Sequence, residues 1–455
     1  MKKWRRVHTI FNPVIPATAA LRVNRTGYNP LSEKITPRLK LPLDHQKYVL
    51  AGGIGSGKST ELQATAAQLA PTKLVVLVDL WRHFESSVAD PGAIDHLQPA
   101  EVVGLLGIAV YRTAKDLLGH DWKGLDQKLA DAISGIQSPH DGTPPNVDLA
   151  RLARGMVIIA AGTAGSLLAG PGGALAGIGA AQVGVESGLA LLETVNESTV
   201  WEWKIGLRGR NRSSDQDVPV RNVLQATNAL MDDIRRQYRR DIVLLIDGLD
   251  RVQDPTTFED LFVESGLIGD LRCDLVTTLD LGLVQRYRSR IRWCRPFDFT
   301  YVPVASANAP SEPYPAGIAF FEALAAQRFQ KLDIAPPISA PMIQRLAYYS
   351  GGRLRDFISL IREVAVNAML DESPRAAPKH VDAALDDFRR DRENGLNIAH
   401  IQLLQSVLDD TAHQLPADAL ALELMERQLL LAYPNENPWY LPHTILTLSL
   451  LKRHG

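Results

Sequence analysis

The chain has 455 residues, a formal net charge of −2, 45% hydrophobic and 22% charged residues. This is the make-up of a globular protein with two or three cores; it excludes large-scale disorder and gives no global case for a nucleic-acid or membrane partner. Two cysteines, Cys273 and Cys294, exclude a disulfide framework and a Cys-rich zinc site and suit a reducing, cytoplasmic compartment.

Residues 1–44 form a basic N-terminal arm. Nine Lys or Arg (Lys2, Lys3, Arg5, Arg6, Arg22, Arg25, Lys34, Arg38, Lys40) stand against one acid, Glu33, up to residue 40. A solvated arm lying across the surface is the first expectation; contact with phosphates or with a partner's acidic face is the sharper one. The basic start "MKKWRR" leads into a stretch broken by Pro13 and Pro16, so no signal peptide is read here.

"YVLAGGIGSGKST" follows. Tyr48–Ala51 is an apolar run suited to a buried strand, Gly52-x-x-x-x-Gly57-Lys58-Ser59 comes next, and an amphipathic helix begins there. Strand, glycine-rich loop and helix in that order are the context a phosphate-binding loop requires. Gly52, Gly53, Gly55, Ser56 and Gly57 let backbone N–H groups turn inward, and the helix adds its positive end. Lys58 supplies a point charge for the β- and γ-phosphates, Ser59 a hydroxyl for Mg²⁺, and Thr60 completes the set.

"RRDIVLLIDGLDRV" supplies an acid at a strand end. Ile242–Ile246 is continuously apolar, as a central parallel strand should be. Asp247 emerges at its carboxyl end, where open α/β sheets bind ligands, and is placed to hold Mg²⁺. Asp250 is the candidate for orienting or deprotonating the attacking water; capping the next turn is the alternative. "KLVVLVDL" (73–80), "DLVTTLD" (274–280) and "FDFTYVPV" (297–304) read as further strands. Thr277 and Thr278 sit near the tip of the second of these, in reach of a γ-phosphate or a water. Strands alternating with helices predict a three-layer α/β domain with a parallel sheet.

Lys58 and Asp247 lie 189 residues apart, far more than a minimal core of this kind needs. Residues from about 120 to 220 are therefore read as an insertion. Its centre, Gly155 to Val185, carries no charge and is rich in Gly and Ala. Met156–Gly170 and Ala174–Val185 flank a "PGG" break, and each is shorter than the ~20 apolar residues of a membrane span. Gly173-x-x-x-Gly177 and Gly184-x-x-x-Gly188 would let two helices approach closely. Three arrangements stay open: a hairpin buried on protein, a membrane-active hairpin conditionally exposed within 155–192, or a loose loop. Trp201 and Trp203, followed by Arg208, Arg210 and Arg212, suit an interfacial belt or a core anchor beside a loop.

With these motifs the chain resembles P-loop ATPases of the AAA+ and STAND groups, including the NACHT and origin-recognition types. The fold class expected is an α/β P-loop NTPase with a helical lid and a small winged-helix-like C-terminal domain. "LLIDGLDRV" is similar to the STAND pattern; Arg251 stands where an acid often follows the second Asp, a departure that bears on the hydrolytic rate and not on binding. "YYSGGRLRDF" is similar to a sensor-2 helix start, in which Arg355 would reach the γ-phosphate. "RYRSRIRWCR" stands where rings of this family place an arginine finger, with Arg290, Arg292 and Arg295 as candidates. Beyond the lid, helix, helix, a hairpin around "PNEN" and an apolar helix are similar to a winged helix. Its wing has no Lys or Arg, so DNA reading looks poor.

The domains expected are a core over 45–310, a lid over 311–392 and the C-terminal domain over 393–455. The resemblance implies ATP and Mg²⁺, a homo-oligomer formed through the core, and an effector protein as partner. It also implies an association with bacterial antiphage defence. A membrane-acting ATPase resembling the KAP type, conditionally at the inner membrane, is the alternative; a DNA-remodelling initiator-type ATPase is the third.

Overall fold

In the computed structural model, which describes residues 1–137 (except 15, 18 and 26–28), 149, 152–153, 214–434 (except 308) and 438–451, the apolar runs become one five-stranded sheet. Its strands are β1 (Lys47–Ala51), β2 (Leu74–Asp79), β3 (Ile242–Asp247), β4 (Asp274–Leu279) and β5 (Arg295–Asp298), in the order β2-β3-β4-β1-β5. β1 with β4, β4 with β3 and β3 with β2 all pair in parallel. Every residue of β2, β3 and β4 is buried, which is why these strands read as unbroken apolar runs rather than alternating ones. β4 lies between the strand that leads into the phosphate loop and the strand that ends in Asp247.

The chain forms two compact units. One comprises Pro30–Ala51 and Glu61–Phe297, and the other comprises Met1–Asn29, Gly52–Thr60 and Asp298–Gly455. In the first, helix α2 (Lys58–Leu69) continues from the loop, and α3 (Pro99–Leu118), α4 (Leu125–Gln137) and α5 (Val218–Tyr238) pack on one another. α3 starts with Pro99 in its first turn and with the Glu101 carboxylate accepting the Gln98 N–H at 2.9 Å; it ends at Gly119 in the left-handed conformation. α5 buries Val223, Thr227, Leu230, Met231 and Ile234, a stripe at helical spacing. α4 is the first part of the expected insertion. The Gly155–Val185 stretch, Trp201, Trp203 and the arginines at 208, 210 and 212 lie outside the described residues. Among the described residues no helix is long and apolar enough to cross a membrane.

In the second unit, the start of the chain is a helix with one buried face, rather than an arm solvated throughout. Lys2–Ile10 form α1, whose Trp4 and Val7, with Phe11 beyond it, are buried, while Lys2, Arg5 and Arg6 stay exposed. Trp4 Nε1 donates to the Ser373 carbonyl at 2.7 Å. The helical region contains α7 (Pro315–Lys331), α8 (Ala340–Tyr349), α9 (Leu354–Leu370) and α10 (Pro378–Glu393), α6 (Leu281–Tyr287) belonging to the sheet unit. It is followed by α11 (Ile398–Asp409), α12 (Ala419–Glu426) and the antiparallel pair β6 (Leu430–Tyr433) and β7 (Trp439–Pro442). The hairpin tip, 435–437, lies outside the described residues.

Two elements differ from the sequence reading. The last core strand stops at Asp298 rather than running to Val304, because the Tyr301 and Val302 N–H groups go to the carbonyls of Ala432 (3.0 Å) and Gly352 (3.3 Å) instead of to a neighbouring strand. The final apolar run forms only a 3₁₀ turn, Thr444–Leu448, in which Thr444 Oγ1 donates to the Tyr348 carbonyl and Thr447 Oγ1 to the Thr444 carbonyl (2.7 Å).

Candidate functional site

The phosphate loop runs from Gly52 to Ser59 between β1 and α2. Gly55 (φ 83°) and Gly57 (φ 102°) occupy the left-handed region that the loop's turn demands. Lys58 is buried, and its ammonium donates to the carbonyls of Gly52 (2.6 Å) and Gly53 (2.8 Å), so the cation is held over the loop. Ser56 is buried, while Ser59 and Thr60 are half-buried; Thr60 Oγ1 accepts the Ala17 N–H at 3.1 Å. Arg25, from the basic N-terminal region, is turned inward and donates to the Ser56 carbonyl at 3.0 Å.

The turn that opens α9 meets this loop. The Arg355 N–H donates to the Gly55 carbonyl at 3.3 Å, which sets the predicted sensor beside the loop. The neighbouring Arg353, which the sequence reading passed over, is almost fully buried and donates to the Ile54 carbonyl at 3.0 Å. It also pairs with Asp356 and with Gln428. Asp356 further accepts Arg392 Nη2 on both oxygens (3.0 Å each) and lies 3.3 Å from His443 Nε2. Burial alone would raise the Asp356 pKa, but Arg353, His443 and Arg392 hold its carboxyl well below the usual carboxylate range. Burial pushes His443 down to about 4. Its neutral ring accepts the Ile445 N–H on Nδ1 and presents Nε2–H to Asp356. Arg353 carried no local sequence signal: it stands at the N-cap of a helix without capping it through its side chain, and arginine is not a residue type that N-caps select.

The sheet unit holds the acids. Asp247 ends β3, buried; its Oδ1 accepts the Gly248 N–H (3.0 Å) and the Thr278 hydroxyl (3.2 Å). Thr278 Oγ1 also accepts the Gly248 N–H (3.1 Å) and lies 3.4 Å from Asp250 Oδ1. Of the two predicted threonines, Thr278 therefore joins the acids. Successive residues of a strand face opposite sides, and Thr277 Oγ1, buried, has no hydrogen-bond partner among the described residues. Asp250 sits in the single turn Leu249–Arg251. Gly248 (φ 90°) makes the bend: a Cβ there would lie 2.5 Å from the backbone nitrogen of Trp81. Arg251 stacks over the Trp81 ring at 4.9 Å.

Asp79 was not singled out from the sequence, although it ends an apolar strand as Asp247 does. It pairs in register with Asp247 across β2 and β3, and its Oδ1 caps the next turn by accepting the Arg82 N–H at 3.0 Å. Burial, then the nearby Asp247 carboxylate, raises its pKa to about 7, with Asp250 adding to the effect. Among the described residues no group of three or more His, Cys, Asp or Glu side chains is arranged to hold a metal ion. Hard oxygen donors such as Asp247 and Ser59 suit Mg²⁺, which is usually held by one or two carboxylates together with substrate phosphates rather than by an all-protein cage.

The three arginine-finger candidates separate. Arg290 is ion-paired with Glu259 (2.5 Å) and Glu264 (2.6 Å). Arg292 and Arg295 are exposed, the latter with its guanidinium 5.1 Å from the Phe297 ring centroid.

A parallel sheet, a glycine-rich loop between strand and helix, and an acid at the tip of a second buried strand define the class: an α/β protein of the P-loop NTPase fold. No family model and no curated protein matches the chain by sequence. Among solved structures it is similar to Drosophila ORC bound to DNA (12% identity, TM-score 0.39, covering 97% of this chain and 90% of that one). It is also similar to Cdc6p from Pyrobaculum aerophilum (12%, 0.38, 97% and 95%) and to the Aeropyrum pernix ORC1 protein in complex with DNA (13%, 0.38, 98% and 96%).

Proposed function

We propose that the chain binds ATP with Mg²⁺, hydrolyses it slowly, and acts as a nucleotide-driven switch that self-associates and controls a partner protein. The observation that carries this reading is the phosphate loop: its glycines, its buried Lys58 and its Ser59 stand between a buried strand and a helix, as phosphate binding requires. Lys58 balances the β- and γ-phosphates, and the loop amides donate to them. When bound, Mg²⁺ neutralises phosphate charge, and Ser59 and Asp247 are the residues that would hold it.

Asp250 takes the proton of the attacking water, and the Thr278 hydroxyl orients it by hydrogen bonding. Arg355 reports the γ-phosphate. Arg292 or Arg295 of one copy serves a neighbouring copy: all three candidates are exposed, but Arg290 is engaged by two glutamates. Arg251 beside Asp250 fits a slow cycle, which suits a switch better than a motor. The preference for adenine and a role in antiphage defence follow from the sequence resemblance alone.

The test is calorimetric titration of the purified chain with ATP, ADP and GTP in Mg²⁺, beside Lys58→Ala, together with light scattering for mass. Micromolar ATP binding that Lys58→Ala abolishes, with growth in mass on ATP, is the expected result. A wild-type chain that binds no nucleotide at millimolar concentration would end the proposal.

A further inference from the structure

Phosphate loops are usually described by their amides, but here the carbonyls are tethered too. Five consecutive carbonyls, Gly52 to Ser56, each meet a donor: Lys58 Nζ at Gly52 and Gly53, Arg353 at Ile54, the Arg355 N–H at Gly55 and Arg25 at Ser56. The loop's own turn is closed by the Ser56 N–H on the Gly53 carbonyl at 3.3 Å. In a planar trans peptide the carbonyl and the N–H of the next residue point in opposite directions. A guanidinium that fixes the Ile54 carbonyl thereby fixes the Gly55 amide, and one that fixes the Ser56 carbonyl fixes the Gly57 amide.

Both arginines are themselves immobilised. Arg25 is buried, gives its second nitrogen to the Thr300 carbonyl at 2.7 Å, and lies over the Phe299 ring at 4.3 Å. Arg353 is held by Asp356 and Gln428, and Asp356 in turn by Arg392 and His443. Glycine-rich loops lose much backbone freedom on ordering. A loop already ordered by outside donors binds its anion without that loss.

We propose that Arg25 and Arg353 are positioning residues for phosphate binding: from opposite ends of the chain they hold the loop's carbonyls so that the Gly55 and Gly57 amides stay turned toward the phosphates. This rests on the nucleotide-binding reading above. Neither arginine touches the nucleotide. Because Arg353 is bonded to Gln428, the C-terminal module is wired into the same loop.

The experiment is titration with ADP and with a non-hydrolysable ATP analogue, well below each variant's unfolding midpoint. Wild type is compared with Arg25→Met, Arg25→Lys, Arg353→Met, Gln428→Leu and Arg355→Met. The loop amides serve phosphates common to both nucleotides. Arg25→Met and Arg353→Met are therefore expected to weaken ADP and the analogue by the same factor, about 10- to 100-fold, the range of a charge-assisted hydrogen bond. Arg25→Lys should recover part of the loss, and Gln428→Leu should reproduce a fraction of it from outside the loop. Arg355→Met should instead weaken the analogue more than ADP.

Arg353→Met leaves Asp356 short of a partner and is the variant at risk of misfolding; Arg25→Met and Gln428→Leu then carry the test. ADP affinity within twofold of wild type in folded Arg25→Met, or a loss confined to the triphosphate, overturns the inference alone. A wild-type chain that binds neither nucleotide overturns the inference together with the reading it rests on.

Discussion

Gly248→Ala is the substitution whose cost the geometry states most directly. The residue sits at φ 90°, where a side chain is strained by roughly 1–2 kcal/mol. Its new Cβ would lie 2.5 Å from the Trp81 nitrogen, 2.8 Å from Trp81 Cβ and 3.2 Å from Asp79 Oδ1. The nearest of these is backbone and cannot swing aside, which adds an overpacking cost of about 1–3 kcal/mol. The sum, roughly 2–5 kcal/mol, is a large share of the ~5–15 kcal/mol that holds a domain together. At about 2–4 °C per kcal/mol for a unit of this size, the midpoint should fall by roughly 4–20 °C in scanning calorimetry.

The same bend aims Asp247 and Asp250, because the Gly248 N–H binds both Asp247 Oδ1 and Thr278 Oγ1. Where the variant stays folded, hydrolysis should be lost while ADP affinity, set by the phosphate loop, is kept. Gly266→Ala is the control: its Cβ would meet nothing closer than Asp270 Oδ2 at 4.0 Å, and the midpoint should not move. A Gly248→Ala protein that melts within a degree of wild type and turns over ATP normally would refute the reasoning.

Thr278→Val keeps the shape and removes the hydroxyl shared by Asp247, Asp250 and the Gly248 N–H; it should cost about 1–2 kcal/mol in urea unfolding and slow turnover. Asp250→Asn should lower the hydrolysis rate by about 10²- to 10⁴-fold, measured as phosphate release, with ATP affinity retained, if it is the general base. Acid should destabilise the chain through His443. Its folded pKa of about 4 lies below the ordinary 6.5, so the unfolded chain binds the extra proton, and the stability it contributes above pH 6.5 is lost as pH falls toward 4. His443→Gln should flatten that part of the pH–stability curve, followed by denaturant midpoints at pH 7.5, 6 and 5; an unchanged slope would show that the ring stays accessible to protons.

The central strands were legible to within a residue because a buried parallel strand must be apolar throughout, and that pattern is local. The strand ending at Asp298 was overdrawn for the opposite reason. Phe297 to Val304 has the right composition, but where its N–H groups bond is decided by Gly352 and Ala432, far away in sequence. Arg355 was found by resemblance, whereas Arg353 was not, since nothing local says that a surface-type residue will be buried against a carbonyl 299 positions away. Arg25 was read with the other basic residues of the first 40, a sum that hides which single charge turns inward. Asp79 could have been found by the rule that found Asp247, applied to every apolar strand that ends in an acid.

On the proposed reading, affinity and turnover would fall to different compact units. The loop, Lys58, Arg25, Arg353 and Arg355 belong to one; Asp247, Asp250, Thr278 and Asp79 belong to the other. Substitutions should sort accordingly, into a set that moves nucleotide affinity and a set that moves the rate at saturating nucleotide. Residues that act independently add in free energy, and those that act as one assembly do not. Arg25→Met combined with Asp250→Asn should therefore show the affinity of the first and the rate of the second, whereas Arg25→Met with Gln428→Leu should fall short of the summed losses, because both act through the same tethered loop. A strictly additive second pair would mean that the Ile54 and Ser56 tethers order their amides independently rather than as one loop.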